Sequence, residues 1–575
     1  MKKRHILYGI IAVAALFRLF GLSRGDTVND EVFMSFRGLG PMDFDEAEMQ
    51  TTPWEWTDPH VLDGAVDLPG AHEEIVKAQE GGIKGIPWWM HLSFHDHPLL
   101  VPLAEKISMA LFGESNFGFR LPSALLGVAS VYFIYVIGKK LFSENAGLSA
   151  AVIYAVTLNG VYISRTGMQE SYVIFFLLIC IHLLLGALED GKYFVWLGAA
   201  FGLGLLAKYT VGIFAPIAGL YLLIVKREAL KDKRLWWGIG IAALVASPIF
   251  IYNLMLYRTF GHFDFQLSFI FGQHPPVWSV MPGKEIGTLA DRIRNFLPRL
   301  VATNSWLFLG LFTAGLAVCV GRLSVAARET VRRQALLFVA LLMLALLVLK
   351  IGPSYRFLTM LTPFMAIVVG AAAAWFFEKD GAARKAAGIA CAGILLFESF
   401  YSWNNQIRYY PSGGREAVPW LASKVRYENY NWGYNELGDY LAKELEGKMP
   451  GLSFDMEYKF LDEVRDRALK AQQERGLEPY PALIVYYGNF DKAAKLWELD
   501  RLHIYHGWPI ISTAAYFEYL RKEGLDYFRR AGFQHYYFIL QSNAAPFPGI
   551  EQLERGEKVP VRNPRGDEAF SVYKF

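Results

Sequence analysis

Acidic side chains follow the first long apolar segment of this sequence, at a position where a membrane boundary would lie. The pair is Asp30-Glu31. Ionisable groups near membrane depth are costly to bury and therefore tend to be functional. A carboxylate at such a boundary could meet a lipid-linked substrate. Asp30 and Glu31 are therefore the catalytic candidates. A structural role is the alternative for Asp30, as a helix cap or as an ion-pair partner of Arg18 or Arg37.

Three cations also stand at the ends of apolar segments. Arg165 lies in a short turn that ends at Glu170, Lys208 separates two apolar stretches, and Arg356 follows Gly352-Pro353-Ser354-Tyr355. Arginine offers a fixed fork of donors and lysine a compact charge, so together they suit an anionic phosphate. The three residues are predicted to bind a lipid phosphate. For Arg165 the alternative is a side chain that only extends to the membrane interface.

The triplet His95-Asp96-His97 could supply ligands to a divalent metal ion, because two imidazoles and a carboxylate suit such an ion. Alternate residues point to opposite sides in a turn or helix, however, and Pro98 favours an extended or turn geometry at His97. The alternative is that this triplet is a polar segment that leads into a helix.

The elements that must position these residues are membrane helices. Of the 575 residues, 53% are hydrophobic and 19% are charged, which is more apolar surface than a soluble fold can bury. A membrane helix needs roughly 20 apolar residues, and about eleven such segments are present. They centre on 6–22, 120–138, 146–164, 170–188, 193–207, 209–225, 236–257, 301–321, 335–351, 356–377 and 386–402. The net charge of +3 is small and does not indicate a nucleic-acid-binding protein.

The basic loops indicate the orientation of these spans, because lysine and arginine accumulate in cytoplasmic loops. With the amino terminus inside, the loops 139–140, 226–234, 322–333 and 379–385 all fall inside. The predicted outer segments are 23–119, 258–300 and everything after about residue 403. We therefore expect a multi-pass protein of the cell inner (plasma) membrane whose carboxy-terminal part lies outside the cytoplasm.

The last part of the chain has the composition of a soluble domain. Residues 482–487 and 535–540 are strand-like, and they alternate with helical stretches such as 459–475 and 514–531. This alternation predicts a small α/β domain. The predicted domains are 1–403, mostly α and membrane-spanning with a first outer loop 23–119, and 404–575, extracytoplasmic and α/β.

A series of short motifs resembles the protein mannosyltransferase and aminoarabinose-transferase superfamily of membrane enzymes. The resemblance covers about residues 6–380, and its motifs share the order and spacing of that superfamily. The motifs are His97-Pro98-Leu99-Leu100, Leu111-Phe112-Gly113-Glu114-Ser115, Arg120-Leu121-Pro122-Ser123-Ala124, Gly138-Lys139-Lys140-Leu141-Phe142, Ser164-Arg165, Leu206-Ala207-Lys208-Tyr209-Thr210 and Tyr355-Arg356-Phe357-Leu358.

The resemblance implies a GT-C fold and an inverting glycosyltransferase that uses a polyprenyl-phosphate sugar as its donor substrate. It implies Asp30 as the base that activates the acceptor, with Glu31 beside it. Arg165, Lys208 and Arg356 would contact the donor phosphate, and Glu170 matches an acidic position that some relatives use for a metal or for the acceptor. No cofactor is certain under this scheme, and a divalent metal is compatible with it. The acceptor would be a lipid, a glycan or a protein.

Two other classes of protein share parts of this pattern. A polytopic transporter or flippase for lipids or sugars would also have many spans, but transporters often place their binding residues near the midplane on broken helices. A non-catalytic assembly or sensor protein would bind a partner through its outer domain. The polar residues here gather at one membrane face, which favours the glycosyltransferase.

Overall fold

The chain folds into two compact units, one almost entirely helical and one built around a sheet. The computed structural model describes residues 2–27, 30–39, 81–85, 87–94, 97–273, 287–324, 326–378, 381–408, 421–429, 431–456, 459–545, 550–553 and 555–575. The helical unit comprises Met1–Ser23, Leu92–Arg408 and Glu416–Arg426. The sheet unit comprises Arg24–His91, Tyr409–Arg415 and Tyr427–Phe575.

Most of the described chain is helical. The helices up to residue 270 are α1 Lys2–Leu19, α2 Asp30–Leu39, α3 Leu100–Phe112, α4 Asn116–Leu141, α5 Glu144–Val156, α6 Leu158–Arg165, α7 Glu170–Ala187, α8 Tyr193–Ala207, α9 Phe214–Val225, α10 Lys233–Val245, α11 Ser247–Phe260 and α12 Phe265–Ile270. The later ones are α13 Leu289–Thr303, α14 Trp306–Leu323, α15 Arg328–Ile351, α16 Tyr355–Leu358, α17 Thr362–Phe377, α18 Ala382–Ser402, α19 Tyr434–Glu444, α20 Lys459–Glu474, α21 Lys492–Lys495, α22 Arg501–His506, α23 Thr513–Glu523, α24 Tyr527–Arg530 and α25 Ile550–Leu553.

Nine short strands accompany these helices in the described residues. They are β1 Ser93–Phe94, β2 His97–Pro98, β3 Lys448–Pro450, β4 Glu478–Tyr480, β5 Ala482–Tyr487, β6 Ile510–Ser512, β7 His535–Gln541, β8 Glu557–Arg562 and β9 Glu568–Lys574.

Within the described residues, six helices are long and apolar enough to cross a membrane, and up to eight spans result if each of two bent helix pairs counts as one. The bent pairs are α5 with α6 and α10 with α11, and they coincide with the predicted spans 146–164 and 236–257. The predicted count of about eleven adds α1, α8 and α9, which are shorter or less apolar than this set. That higher count stays a prediction.

A buried arginine stabilises the break between α5 and α6, where the two helices meet at 59°. Breaking a helix leaves carbonyl groups without intrahelical partners, and a membrane offers no water to satisfy them. The guanidinium of Arg18 donates to the carbonyls of Tyr154, Ala155 and Gly160 at 3.3, 2.9 and 3.2 Å. Arg18 is fully buried. It therefore has a structural role within the helical unit.

Small residues allow close helix contacts in this unit. A Cβ atom added at Gly370 of α17 would lie 2.4 Å from the backbone nitrogen of Ala150 in α5. Membrane helices pack most tightly where such residues let their backbones approach. The contact fixes α17 against α5.

Ion pairs place the amino terminus beside one of the basic loops. Lys3 Nζ lies 3.1 Å from a carboxylate oxygen of Glu144, and Lys139 Nζ lies 3.7 Å from the other oxygen. Lys3, Lys139 and Glu144 therefore share one end of the helical unit. Both lysines were predicted to be on the inner side of the membrane.

The sheet unit contains a five-stranded mixed sheet in the order β6-β5-β7-β9-β8. The two strands predicted at 482–487 and 535–540 are β5 and β7, which pair in parallel from Ala482–His535 to Tyr487–Leu540. Strand β9 runs antiparallel to both β7 and β8.

Both faces of this sheet are covered, which explains why the central strand β5 is apolar at successive positions. Ile484 packs in a cluster with Leu437 and Phe570, whereas Val485 packs on the opposite face with Phe528. A strand with one wet face would instead alternate apolar and polar residues.

Asp26 joins the segment after α1 to the rest of the sheet unit. Its carboxylate accepts hydrogen bonds from the backbone N–H groups of Trp432, Gly433 and Asn435, which precede or begin α19. An acidic side chain in this position caps the helix amino terminus. The cap links Asp26 to the carboxy-terminal part of the sheet unit, to which Arg24–His91 belongs. The sequence placed that segment with the membrane helices.

Three carboxyl groups of the sheet unit interact electrostatically and have raised pKa values. Burial raises the pKa of Asp26 to about 6, that of Glu436 to about 7 and that of Glu498 to about 8. Mutual repulsion among these groups and Asp439 adds to the rise at Glu498, and Arg501 opposes it. The folded unit thus binds protons that an unfolded chain has already released at neutral pH.

We expect the sheet unit to lose stability as the pH rises from about 5 to 8, because these folded-state pKa values exceed unfolded values near 4. Hydrogen exchange of the β5 and β7 peptides, corrected for intrinsic rates, should show weaker protection at pH 8.5 than at pH 5.5. The Glu498→Gln variant should depend less on pH, and the exposed control Glu523→Gln should behave as wild type. Equal dependence in Glu498→Gln and wild type would contradict this assignment.

Candidate functional site

The main polar cluster of the helical unit is formed around a buried ion pair. Glu170 begins α7, and Lys208 lies in an extended conformation directly after α8. The Lys208 Nζ atom is 2.7 Å from Oε1 of Glu170. Only 9% of the Lys208 side chain and 2% of the Glu170 side chain are exposed. The sequence contains no acid near Lys208, so the pairing comes from the fold, which brings two helix ends together.

Arg356 completes this cluster at the start of α16. Its Nε atom lies 3.9 Å from the same Oε1 atom of Glu170, and 26% of its side chain is exposed. The ring of Phe357 faces both cations, with its centroid 5.3 Å from Lys208 Nζ and 4.9 Å from Arg356 Cζ. Ser354 fixes the turn, because its hydroxyl accepts from the N–H of Phe357 at 3.4 Å.

The cluster of Glu170, Lys208 and Arg356 carries two positive charges and one negative charge. In a partly desolvated site the excess positive charge attracts an anion strongly. Glu170 orients Lys208, and Arg356 adds a second positive charge at a more exposed position. This arrangement suits a phosphate group that approaches from the exposed side of Arg356. The structure thus brings together three of the predicted site residues.

Arg165 has a different environment from these residues. Its guanidinium donates to the carbonyl oxygens of Phe17, Arg18 and Phe20 at 3.1, 3.2 and 2.8 Å and to that of Gly21 at 2.9 Å. These carbonyls lie at the carboxy-terminal end of α1, where the last turn lacks intrahelical donors. The contacts favour a structural role for Arg165, whereas the sequence predicted a phosphate contact.

We expect Arg165→Met to unfold at a lower temperature than wild type, since each buried carbonyl left unsatisfied costs about 1–3 kcal/mol. Turnover and donor Michaelis constant per folded molecule should change little. Thermal unfolding in detergent measures the first quantity, with the exposed Arg322→Met as a matched control. A wild-type melting temperature together with a raised donor Michaelis constant would instead support the predicted contact between Arg165 and the donor phosphate.

The remaining predicted residues belong to other elements or fall outside the described residues. Glu31 is buried within α2 of the sheet unit. The side chain of Asp30 and all of His95 and Asp96 lie outside the described residues. His97 is partly buried in β2, which pairs with β1. The catalytic role of Asp30 and the metal role of His95 and His97 therefore stay predictions.

The surroundings of Glu170 do not resemble a metal site. Its carboxylate faces the cations Lys208 and Arg356, which would repel a divalent ion. Among the described residues, no group of three or more His, Cys, Asp or Glu side chains has an arrangement that could hold a metal. The donor set around Glu170 thus fits an anion better than a metal ion.

Known proteins match this chain in fold over its whole length. Residues 96–252 match the family model of dolichyl-phosphate-mannose-protein mannosyltransferases. Crystal structures of ArnT from Cupriavidus metallidurans, in the apo state and bound to undecaprenyl phosphate, match 100% and 98% of this chain and 98% and 97% of theirs. The TM-scores are 0.51 and 0.50, with 13% identity in each case. The chain has the GT-C fold. The resemblance predicted from its motifs is confirmed.

Curated relatives match this GT-C chain over part of their length. YkcB of Bacillus subtilis, a mannosyltransferase by name, is 32% identical over 27% of this chain and 22% of its own. The undecaprenyl phosphate-alpha-4-amino-4-deoxy-L-arabinose arabinosyl transferase of Yersinia enterocolitica is 23% identical over 36% of this chain and 40% of its own. Both are named as transferases of a sugar. The GT-C chain therefore spans well under half the length of either relative in these matches.

Proposed function

We propose that this GT-C chain transfers a sugar from a polyprenyl-phosphate carrier to an acceptor on the outer side of the membrane. The cluster of Glu170, Lys208 and Arg356 carries this proposal, because it joins two cations at helix ends and is partly open through Arg356. The related ArnT fold has been solved with undecaprenyl phosphate bound, which supports a lipid phosphate as the ligand class.

The proposed reaction is a single displacement at the anomeric carbon. An acceptor hydroxyl or amine attacks that carbon, the bond between it and the phosphate oxygen breaks, and the configuration inverts. The phosphate leaves as an anion without needing a proton, and Lys208 and Arg356 stabilise its charge. Asp30 is the proposed base that takes the proton of the acceptor, with Glu31 as the alternative. Correct placement of both substrates supplies much of the remaining rate acceleration.

The proposed location is the inner (plasma) membrane, with the carboxy-terminal residues outside the cytoplasm. The basic loops support this orientation, because Lys3 and Lys139 meet at one end of the helical unit. Leu188, which follows α7, lies beside the basic loop 226–234, because Lys226 donates to its carbonyl. Glu170 lies at the opposite end of α7. The phosphate cluster is then on the outer side.

A transporter or flippase remains the second candidate function. The paired charges at helix ends would also suit a lipid phosphate in transit. Transport, however, requires a path through the midplane, whereas the cluster of Glu170, Lys208 and Arg356 stands where α7, α8 and α16 begin or end.

Binding of the released product tests the phosphate site directly. Native mass spectrometry of the purified full chain should retain polyprenyl phosphate more strongly than polyprenol of the same length, which lacks only the phosphate. Arg356→Gln should lower retention of polyprenyl phosphate and leave polyprenol unchanged. The exposed Arg322→Gln serves as the matched control. Equal retention of both lipids by the wild type would contradict the proposed site.

A further inference from the structure

The helical unit contains a second polar site, at the other end of α7. A cavity of about 450 Å³ lies among the ends of α4, α7, α9 and α15. Cavities of this size hold small molecules or the head of a lipid. Helix α7 contains 18 residues and is therefore about 27 Å long, which separates this cavity from Glu170. The cavity is thus distinct from the proposed phosphate site of the transfer reaction.

Four cations from three of the basic loops line this cavity. They are Lys140, Lys226, Arg332 and Arg333. Among the contacts described for them, Lys226 donates to the carbonyl of Leu188 and Arg333 donates to that of Lys140. None of the four forms an ion pair within the part of the chain that the structure describes. Their positive charge therefore remains available to a ligand.

Three carboxylates line the same cavity and also remain available. They are Glu189, Glu228 and Glu329, all exposed. Within the described residues, no cation lies within ion-pair distance of them. Basic residues alone are ordinary in cytoplasmic loops. Unpaired charges of both signs around one cavity are not explained by that rule, and they suit a ligand that itself carries both signs.

Apolar side chains line the remaining part of the cavity. Leu185 and Tyr221 are buried, and Val225 is partly buried. These residues belong to α7 and α9, two apolar helices of the helical unit. A ligand with an apolar portion could contact them while its polar head meets the charged side chains.

We propose that this cavity binds the headgroup of an aminophospholipid, a phosphate diester that also carries a primary amine. The phosphate would meet Arg332 and Arg333, and the ammonium group would meet Glu228 and Glu329. Lys226, whose ammonium group donates to the carbonyl of Leu188, adds a further positive charge to the cavity lining. Leu185, Tyr221 and Val225, the apolar wall of the cavity, would contact the first methylene groups of the acyl chains. The ligand is a membrane component of the leaflet opposite the proposed transfer reaction.

Native mass spectrometry of the full chain with three lipids of identical acyl chains tests this assignment. Phosphatidylethanolamine should be retained about tenfold better than phosphatidylglycerol, which lacks the amine, and phosphatidylcholine, whose ammonium has no N–H donor. Equal retention of the three lipids by the wild type would overturn the proposal.

Variants of exposed residues identify the charged side chains that are responsible for lipid retention. The double variant Arg332→Gln/Arg333→Gln should weaken retention of both phosphatidylethanolamine and phosphatidylglycerol. The double variant Glu228→Gln/Glu329→Gln should abolish only the preference for phosphatidylethanolamine over phosphatidylglycerol. The control Arg322→Gln/Arg328→Gln, which changes exposed arginines outside the cavity, should behave as wild type. A preference that survives the glutamate variant would overturn the proposed ammonium contact.

Free glycerophosphoethanolamine distinguishes the lipid from a soluble ligand with the same headgroup. We expect it to compete weakly, because it lacks the acyl chains that contact the apolar wall. Competition as strong as that of the intact lipid would assign the cavity to a soluble phosphoamine and overturn the lipid assignment.

Discussion

Asp30→Asn is expected to lower turnover by about 100-fold or more, with near-normal expression and donor binding. Asparagine retains the size of aspartate and much of its hydrogen bonding, but it cannot take the proton of the acceptor. Initial rates of sugar transfer, measured on purified protein with a checked melting profile, give the effect. Wild-type turnover in a normally folded Asp30→Asn protein would rule out this base and leave Glu31 as the next candidate.

A nearby aspartate provides the matched control for this experiment. Asp26 caps α19 through both carboxylate oxygens, with bonds of 3.2 Å to Gly433 N and 3.0 Å to Asn435 N. Asp26→Asn removes one of the two acceptor oxygens, so stability should fall while turnover per folded molecule stays near wild type. The pair of variants thus separates a catalytic carboxylate from a structural one four positions away in the sequence.

The second large effect is expected for Lys208→Met. Loss of a charge-assisted contact to the donor phosphate costs about 1.5–3 kcal/mol, which corresponds to roughly 10- to 100-fold in kcat/KM for the donor. The substitution also leaves Glu170 as a buried charge without Lys208, so stability should fall as well. Steady-state kinetics and thermal unfolding of the same preparation measure both quantities.

A double variant separates these two consequences. In Lys208→Met/Glu170→Gln the buried negative charge is gone, so most of the lost stability should return. Donor use should not return, because the phosphate still lacks the lysine. Recovery of kcat/KM together with stability would show that Lys208 acts only by neutralising Glu170.

The sequence predicted the type of fold, and three residues of the candidate cluster, for identifiable reasons. Long apolar segments indicated membrane helices, and the short apolar run at 482–487 indicated a strand. Lys208 and Arg356 were predicted as site residues because charges at the ends of apolar segments are costly, whereas Glu170 was predicted from the family resemblance. These are local signals, and they need no knowledge of which segments pack together.

The partners of these residues depend on tertiary packing. Glu170 and Lys208 are 38 positions apart and meet only because α7 begins where α8 ends. Arg165 bonds carbonyls some 144–148 positions away, at the end of α1, so its structural contacts could not be inferred from the turn that contains it. The cavity lined by Lys140, Lys226 and Arg333 likewise requires loops that are distant in the chain.

The fate of a labelled donor tests the proposed transfer reaction most directly. Proteoliposomes that contain the full chain, a polyprenyl-phosphate sugar labelled in the sugar, and a cell-envelope fraction as acceptor should release polyprenyl phosphate in equal amount to the label transferred. Asp30→Asn and Lys208→Met should slow both products together. Donor that crosses the bilayer or binds while its bond between sugar and phosphate stays intact, across a panel of sugars, would contradict the proposed glycosyltransferase.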